Sequence, residues 1–329
     1  MKRVILLLCI CVSIFSCKNE NPIEKNIKLN GPVFGTGYNI QYHSEEGVNY
    51  QPQFDSLFAV INNSLSTYII DSDISKWNRN EDVEVDEHFR NVFIAAKKIF
   101  KESKGVFDPT IGNVVNAWNF GPDENKFLTD SVTIQKLMKH VGFDRVKMLP
   151  NRFIKPDTVY LDFNAIAKGY GIDVIADFIA SKGINNYLVD IGGDMRTSGI
   201  NKKKEKGWTV GIEDPNFDGS KSYSKSLTLT NKGMATSGTY RKFKTDETGN
   251  RYAHIIDTKT GYPTKTNVLS VSVIAPNAML ADGYATTFQA MGVEETKTFL
   301  NTHSELQVHF IYLDENGALQ ALSLNGFPE

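Results

Sequence analysis

Asp282 and Thr286, four residues apart in the run Ala281-Asp282-Gly283-Tyr284-Ala285-Thr286-Thr287, could together hold a hard cation. On a helix, positions i and i+4 share a face. A carboxylate beside a hydroxyl suits Mg²⁺, which keeps several waters and takes phosphate oxygens as further ligands. The same pair also fits a plain helix start, with an acid favoured by the helix dipole and a structural threonine. A second run, Leu161-Asp162-Phe163-Asn164-Ala165-Ile166-Ala167-Lys168-Gly169-Tyr170-Gly171, has small residues that let backbone groups approach a ligand. Lys168 could face a phosphate there, or be a solvated lysine in a glycine-rich turn. Neither Walker nor Rossmann spacing is present. In the third run, His254 to Pro263, His254 and Asp257 could serve as a general base and its orienter beside the Gly261-Tyr262-Pro263 turn. A packed histidine before a turn fits that run equally. Aromatic residues near turns, in Ser66-Thr67-Tyr68, Gly105-Val106-Phe107-Asp108-Pro109-Thr110 and Asn116 to Pro122, could grip a planar ring or fill a core.

Elements able to position these groups are visible in the hydrophobic periodicity. Phe54, Leu57, Phe58, Ile61 and Leu65 predict one helix, and Phe89, Val92, Phe93, Ala96, Ile99 and Phe100 a second that stops at Lys104-Gly105. Ile172, Ile175, Ala176 and Ile179 predict a third, fed by a short strand and ending at Lys182-Gly183. Tyr187 to Ile191 reads as a short strand closed by Gly192-Gly193. Leu269, Val271 and Val273, alternating with Ser270 and Ser272, read as a half-buried strand. Pro276-Asn277 opens another helix. Val308 to Leu313 and Ala318 to Leu322 flank a hairpin turn at Asp314-Glu315-Asn316-Gly317. Helices and strands mix without regular alternation, which favours an α+β fold.

At 329 residues, one large domain or two intimate ones are possible. A net charge of -2 argues against a general nucleic-acid binder. The N-terminus predicts export. Lys2 and Arg3 precede an apolar run, Val4 to Phe15, that is short for a membrane span, and polarity begins after Ser16-Cys17. This pattern looks like a lipoprotein signal over 1–16, cleaved before a lipidated Cys17, although Ile14-Phe15-Ser16 departs from the common lipobox. Residues 17–30 read as a tether and 31–329 as the folded domain. The cysteines are Cys9, Cys11 and Cys17, so the mature chain would have no thiol for a disulfide, a Cys-based zinc site or a nucleophile.

Taken in order, the motifs resemble the ApbE family, the FAD:protein FMN transferases. The succession runs from Phe34-Gly35-Thr36 through Ser66-Thr67-Tyr68, Phe107-Asp108-Pro109-Thr110 and the Asp162 to Asp173 block. It continues through Gly192-Gly193-Asp194, Thr236-Ser237-Gly238 and His254 to Pro263, and closes with Ala281-Asp282 and Thr286. The resemblance implies ApbE-like, T-fold-related mixed sheets flanked by helices. It implies Mg²⁺ held by Asp282, Thr286 and the backbone oxygen of Ala165. It places Phe34, Tyr68, Val106, Phe107, Asp108, Asp162, Lys168 and Ile255 around FAD, the substrate. His254 matches the candidate base, with Asp257 nearby. Three positions depart from the family pattern: Phe34 stands for the usual Met, Thr258 for a Pro, which would loosen that turn, and Thr239 for a frequent acidic residue.

The implied reaction is Mg²⁺-dependent transfer of FMN from FAD to a Thr or Ser hydroxyl of an acceptor protein, with release of AMP. The implied acceptors are subunits of membrane redox complexes such as sodium-pumping NADH:quinone reductases. The implied location is extracytoplasmic, lipid-anchored to a bacterial membrane, either at the periplasmic face of the inner membrane or at the outer membrane or surface. The rivals are an FAD pyrophosphatase and a non-catalytic flavin-binding lipoprotein.

Overall fold

Local signals start and stop the helices. In the computed structural model, α1 (Gln51–Leu65) buries Phe54, Phe58, Ile61 and Leu65, the stripe its periodicity predicts. The short α2 (Asp73–Asn78) is capped by Ser72, and α3 (Glu87–Glu102) by Asp86, whose carboxylate accepts the Phe89 amide. α3 stops where Lys104 and Gly105 both take positive φ. α4 (Gly112–Ala117) and α5 (Ser131–Met138) form a small satellite with Trp118 and Ile256. α6 (Ala167–Ser181) buries Ile172, Ile175, Ala176 and Ile179 and ends before Gly183. α7 (Ala278–Leu300) is capped by Asn277, which accepts the Leu280 amide, and breaks its helical geometry at Gly292. The structure describes residues 25–122, 130–149, 152–216, 222–240, 243–245 and 251–328. Cys9, Cys11, Cys17 and the signal expected over residues 1–16 lie outside these residues.

An eight-stranded antiparallel sheet carries the molecule. Its order is Asn26–Val33, Thr36–His43, Tyr187–Ile191, Asp194–Ser198, Gly233–Gly238, Val268–Ala275, Gln307–Leu313 and Leu319–Leu324. Helices α6 and α7 cover one face, with α1 and α3 packed behind them. The other face is covered by a hairpin, Trp208–Glu213 with Tyr223–Leu229, whose Trp208, Val210, Ile212, Leu227 and Leu229 pack on Leu188, Met195, Met234 and Ile274. This is the expected α+β fold of mixed sheets and helices.

Three expectations need correction. The domain begins earlier than residue 31, because Asn26–Val33 is already paired with Thr36–His43. Val268–Ala275 is not half-buried: both faces of the sheet are covered, so Ser270 and Ser272 are buried too. Ser272 meets its polar requirement by a 2.7 Å hydrogen bond with Thr236. Finally, no strand leads into α6. The segment before it is held extended by Asn78, whose side-chain amide donates to the Leu161 carbonyl while its oxygen accepts the Leu161 amide. The Asp162 amide donates to Pro109 O at 2.8 Å, so one asparagine and one carbonyl stand where a neighbouring strand would.

Candidate active site

The sequence motifs converge at one end of the sheet. The hairpin between the first two strands turns on Phe34-Gly35, with φ of 48° and 73°. Positive φ at both central residues is what a tight hairpin of this twist demands. A phenylalanine in that region is strained by about 1 kcal/mol. The strain aims the ring into the site, where it packs edge-on against Phe58 at 5.6 Å.

The same end holds the start of α6 and of α7, and the two helices cap each other. Asp173 of α6 accepts the Ala278 and Met279 amides at the start of α7, and pairs with Arg196 at 3.1 Å. Asp282 of α7 accepts the Gly169 amide at the start of α6 at 2.9 Å. The close approach requires glycine: a Cβ at Gly169 would lie 2.8 Å from Asp282 Cβ. Gly169→Ala should therefore push α6 from α7, displace Asp282 and destabilise the fold by about 1–3 kcal/mol, which thermal melts check.

Asp282, Asp194 and Lys168 meet in the wall of a cavity. Lys168 pairs with Asp194 at 2.7 Å, and Asp194 also accepts the Thr236 amide. Asp282 is buried. Burial and the charge of Asp194 push its carboxyl up to about 7, against the opposing influence of Lys168 and the Gly169 amide. Two buried acids facing one lysine leave an excess of negative charge, which a cation would balance. Thr286 adds a hydroxyl, 3.3 Å from the Ser237 hydroxyl. Among the described residues no group of three or more His, Cys, Asp or Glu could hold a metal. The available seat is one carboxylate, one hydroxyl and the Ala165 backbone, all lining the same cavity. This all-oxygen set fits Mg²⁺, with ligand positions left for water and phosphate.

The cavity has a volume of about 490 Å³. Phe34, Tyr68, Phe107, Asp108, Asp162, Ala165, Lys168, His254, Ile255, Asp282 and Thr286 all line it. Next to it, and sharing Phe34, Tyr68, Asn164 and Lys168, lies a second cavity of about 660 Å³. Together they form a continuous cleft with aromatic walls. Val106 and Asp257 do not line it. Asp257 instead shapes a turn. Its Oδ1 accepts the Lys259 and Thr260 amides, and its backbone closes the turn through Tyr262 and Gly261. Trp118 donates its indole N–H to Gly261 O.

Asp108 is likewise structural in its bonds. It accepts the Thr110 amide and hydroxyl and the Phe143 amide, while burial still pushes its carboxyl above the ordinary range. Thr258 does not loosen its turn. Its hydroxyl donates to Gly105 O at 2.7 Å, tying the His254 loop to the segment that carries Phe107 and Asp108, a bond that proline could not make. Thr258→Val should cost about 1 kcal/mol and slow turnover a few fold, as thermal melts and steady-state kinetics would show.

Sequence reasoning gives Gly192-Gly193-Asp194 and Thr236-Ser237-Gly238 a place in the motif order but no role. Asp194, Thr236 and Ser237 line the cavity. Positive φ at Gly192 and Gly193 makes the turn that presents Asp194. The available signal is the glycine pair before an acid; its partner Lys168 is invisible in sequence because the two lie on different elements.

Fold and site together match those of solved flavin transferases. The solved structure of the flavin transferase ApbE from Vibrio cholerae superposes with a TM-score of 0.81 at 32% identity, covering 91% of this chain and 96% of that one. The apo flavinyl transferase ApbE of Pseudomonas stutzeri gives a TM-score of 0.80 at 26% identity, covering 91% and 94%. In sequence, the FAD:protein FMN transferase of Haemophilus influenzae is 32% identical over 337 residues, 96% of this chain and 95% of the relative. The chain belongs to the ApbE family, whose model matches residues 34–310.

Proposed function

We propose that this protein transfers FMN from FAD to a serine or threonine hydroxyl of an acceptor protein, releases AMP, requires Mg²⁺, and works from a lipid anchor at Cys17 outside the cytoplasm. The observation that carries the reading is the meeting of the Asp282–Thr286 seat and His254 in one aromatic-walled cleft. Mere flavin binding would need neither group.

The chain's own residues divide the work. Phe34, Tyr68 and Phe107 enclose the planar rings of FAD, and Lys168 at the start of α6 faces the diphosphate together with the helix dipole. The acceptor oxygen forms a bond to the phosphorus on the FMN side, the bond from that phosphorus to the AMP oxygen breaks, and AMP leaves. His254 takes the hydroxyl proton. Asp282, Thr286 and the Ala165 carbonyl would hold Mg²⁺, which when bound would supply positive charge to offset that of the diphosphate and the leaving AMP. Asp257 keeps the turn that carries His254 in shape.

The proposed acceptor is a subunit of a membrane redox complex of the sodium-pumping NADH:quinone reductase kind. An anchor confines enzyme and acceptor to one surface, and stable anchoring takes more than one acyl chain. Among the described residues no helix is long and apolar enough to cross a membrane. Incubation with FAD and Mg²⁺, with and without an acceptor, tests the reaction. AMP release that requires the acceptor supports transfer. AMP release of equal rate without acceptor would make the protein a pyrophosphatase, and no AMP in either case would make it a carrier.

A further inference from the structure

The end of the sheet opposite the cleft has its own chemistry. Thr36 lines the active cleft, whereas His43, at the other end of the same strand, lines a separate cavity of about 750 Å³. Seven residue steps along a strand put the two ends roughly 23 Å apart. Lys28, Lys202, Lys203 and Lys204 also line this remote cavity. The last three belong to the loop Ile200-Asn201-Lys202-Lys203-Lys204-Glu205-Lys206, in which Glu205 is the only acid. The loop is held in shape by the Asn201–Lys206 bridge, with Asn201 N–H donating to Lys206 O at 2.8 Å. Lys202, Lys203, Lys204 and Lys206 are exposed, and Ile200 beside them is 38% exposed.

The first strand also begins at this end, at Asn26. Lys18 to Lys25, eight residues, join it to Cys17 and can span at most about 28 Å. We propose that this lysine-lined end seats the protein on anionic lipid headgroups, so that the active cleft opens away from the membrane. Only the choice of occupant rests on the proposed anchor. Lysines held near an anionic surface attract it, and each adds to the attraction within a screening length. Ile200 can enter the headgroup layer beside them. The acceptor residue must then reach the cleft from a domain standing off the membrane.

The test uses the full chain carrying Cys17→Ser, with and without K202E/K203E/K204E, sedimented with phosphatidylcholine vesicles that do or do not contain phosphatidylglycerol. The proposal expects the triple variant to bind the phosphatidylglycerol vesicles roughly tenfold more weakly or worse. It expects no difference on phosphatidylcholine alone, and a difference that disappears at high salt. The apolar residues 4–15 are present in both chains and cancel. Unchanged FAD turnover in the variant, whose altered loop is remote from the cleft, confirms that it is folded. Equal binding of both chains to phosphatidylglycerol vesicles would overturn the proposal, as would a loss on charge reversal that is the same for both lipids. The mass of the mature wild-type chain reports separately on the anchor: an unacylated Cys17 removes that reading, and a loss on charge reversal would still uphold the lysine seat.

Discussion

Asp282→Asn should abolish Mg²⁺-dependent FMN transfer while making the metal-free protein more stable than the wild type above neutral pH. The two halves have one cause. Asp282 is buried among acids, and its carboxyl is pushed from an ordinary 3.8 up to about 7. Between those values the folded state binds more protons than the unfolded state, so stability falls as pH rises through that window, and the penalty is complete above it. At about pH 8 the penalty is on the order of 2–4 kcal/mol. Asparagine carries no charge, and its carbonyl can still accept the Gly169 amide. The variant therefore keeps the cap on α6 and loses the repulsion from Asp194. It also loses the anionic ligand, so Mg²⁺ no longer stabilises it, whereas the wild type gains stability as the ion is titrated in. Melting curves with and without Mg²⁺ at about pH 6 and pH 8 check the prediction. A variant destabilised at pH 8 without the ion would show that Asp282 is a structural acid and not a cation ligand.

His254→Ala should lower the transfer rate by about 10²- to 10⁴-fold, the usual contribution of a positioned base. His254 lines the cleft, with its ring 6.3 Å from that of Phe120. Its loop is fixed from outside by the Asp257 turn, the Trp118 indole and the Thr258 hydroxyl. Removing the imidazole should leave that frame in place. The FAD dissociation constant and the Mg²⁺ activation constant should hardly move, and the loss should fall on kcat. Full activity in the variant would remove His254 from proton transfer. A loss confined to FAD binding would make it a wall of the cleft.

Much of the fold and site is legible in the sequence, for identifiable reasons. The stripes of α1, α3 and α6 and the hairpin at Asp314 are local patterns, and local patterns survive into the fold. Asp282 and Thr286 are legible because i and i+4 on one helix is a fixed geometry. What fails is everything decided by neighbours distant in the chain. Ser270 and Ser272 read as a solvent face because a sequence does not show that a second layer will cover it. The run before α6 reads as a strand because a sequence does not show that its partners are the Asn78 side chain and the Pro109 carbonyl and not a neighbouring strand. Thr258 reads as a defect because its acceptor, Gly105, lies 153 residues away. Asp194 receives no role because its meaning depends on Lys168 and Asp282, brought together only when α6 and α7 cap one another.

The central claim is that the cleft moves FMN onto a protein. Purified enzyme, FAD, Mg²⁺ and a candidate acceptor, resolved by denaturing electrophoresis with intact-mass analysis of the acceptor, test it most directly. The account predicts a fluorescent acceptor band that survives denaturation, heavier by one FMN residue, with one AMP released for each flavin attached. Release of AMP with free FMN and an acceptor of unchanged mass would contradict it.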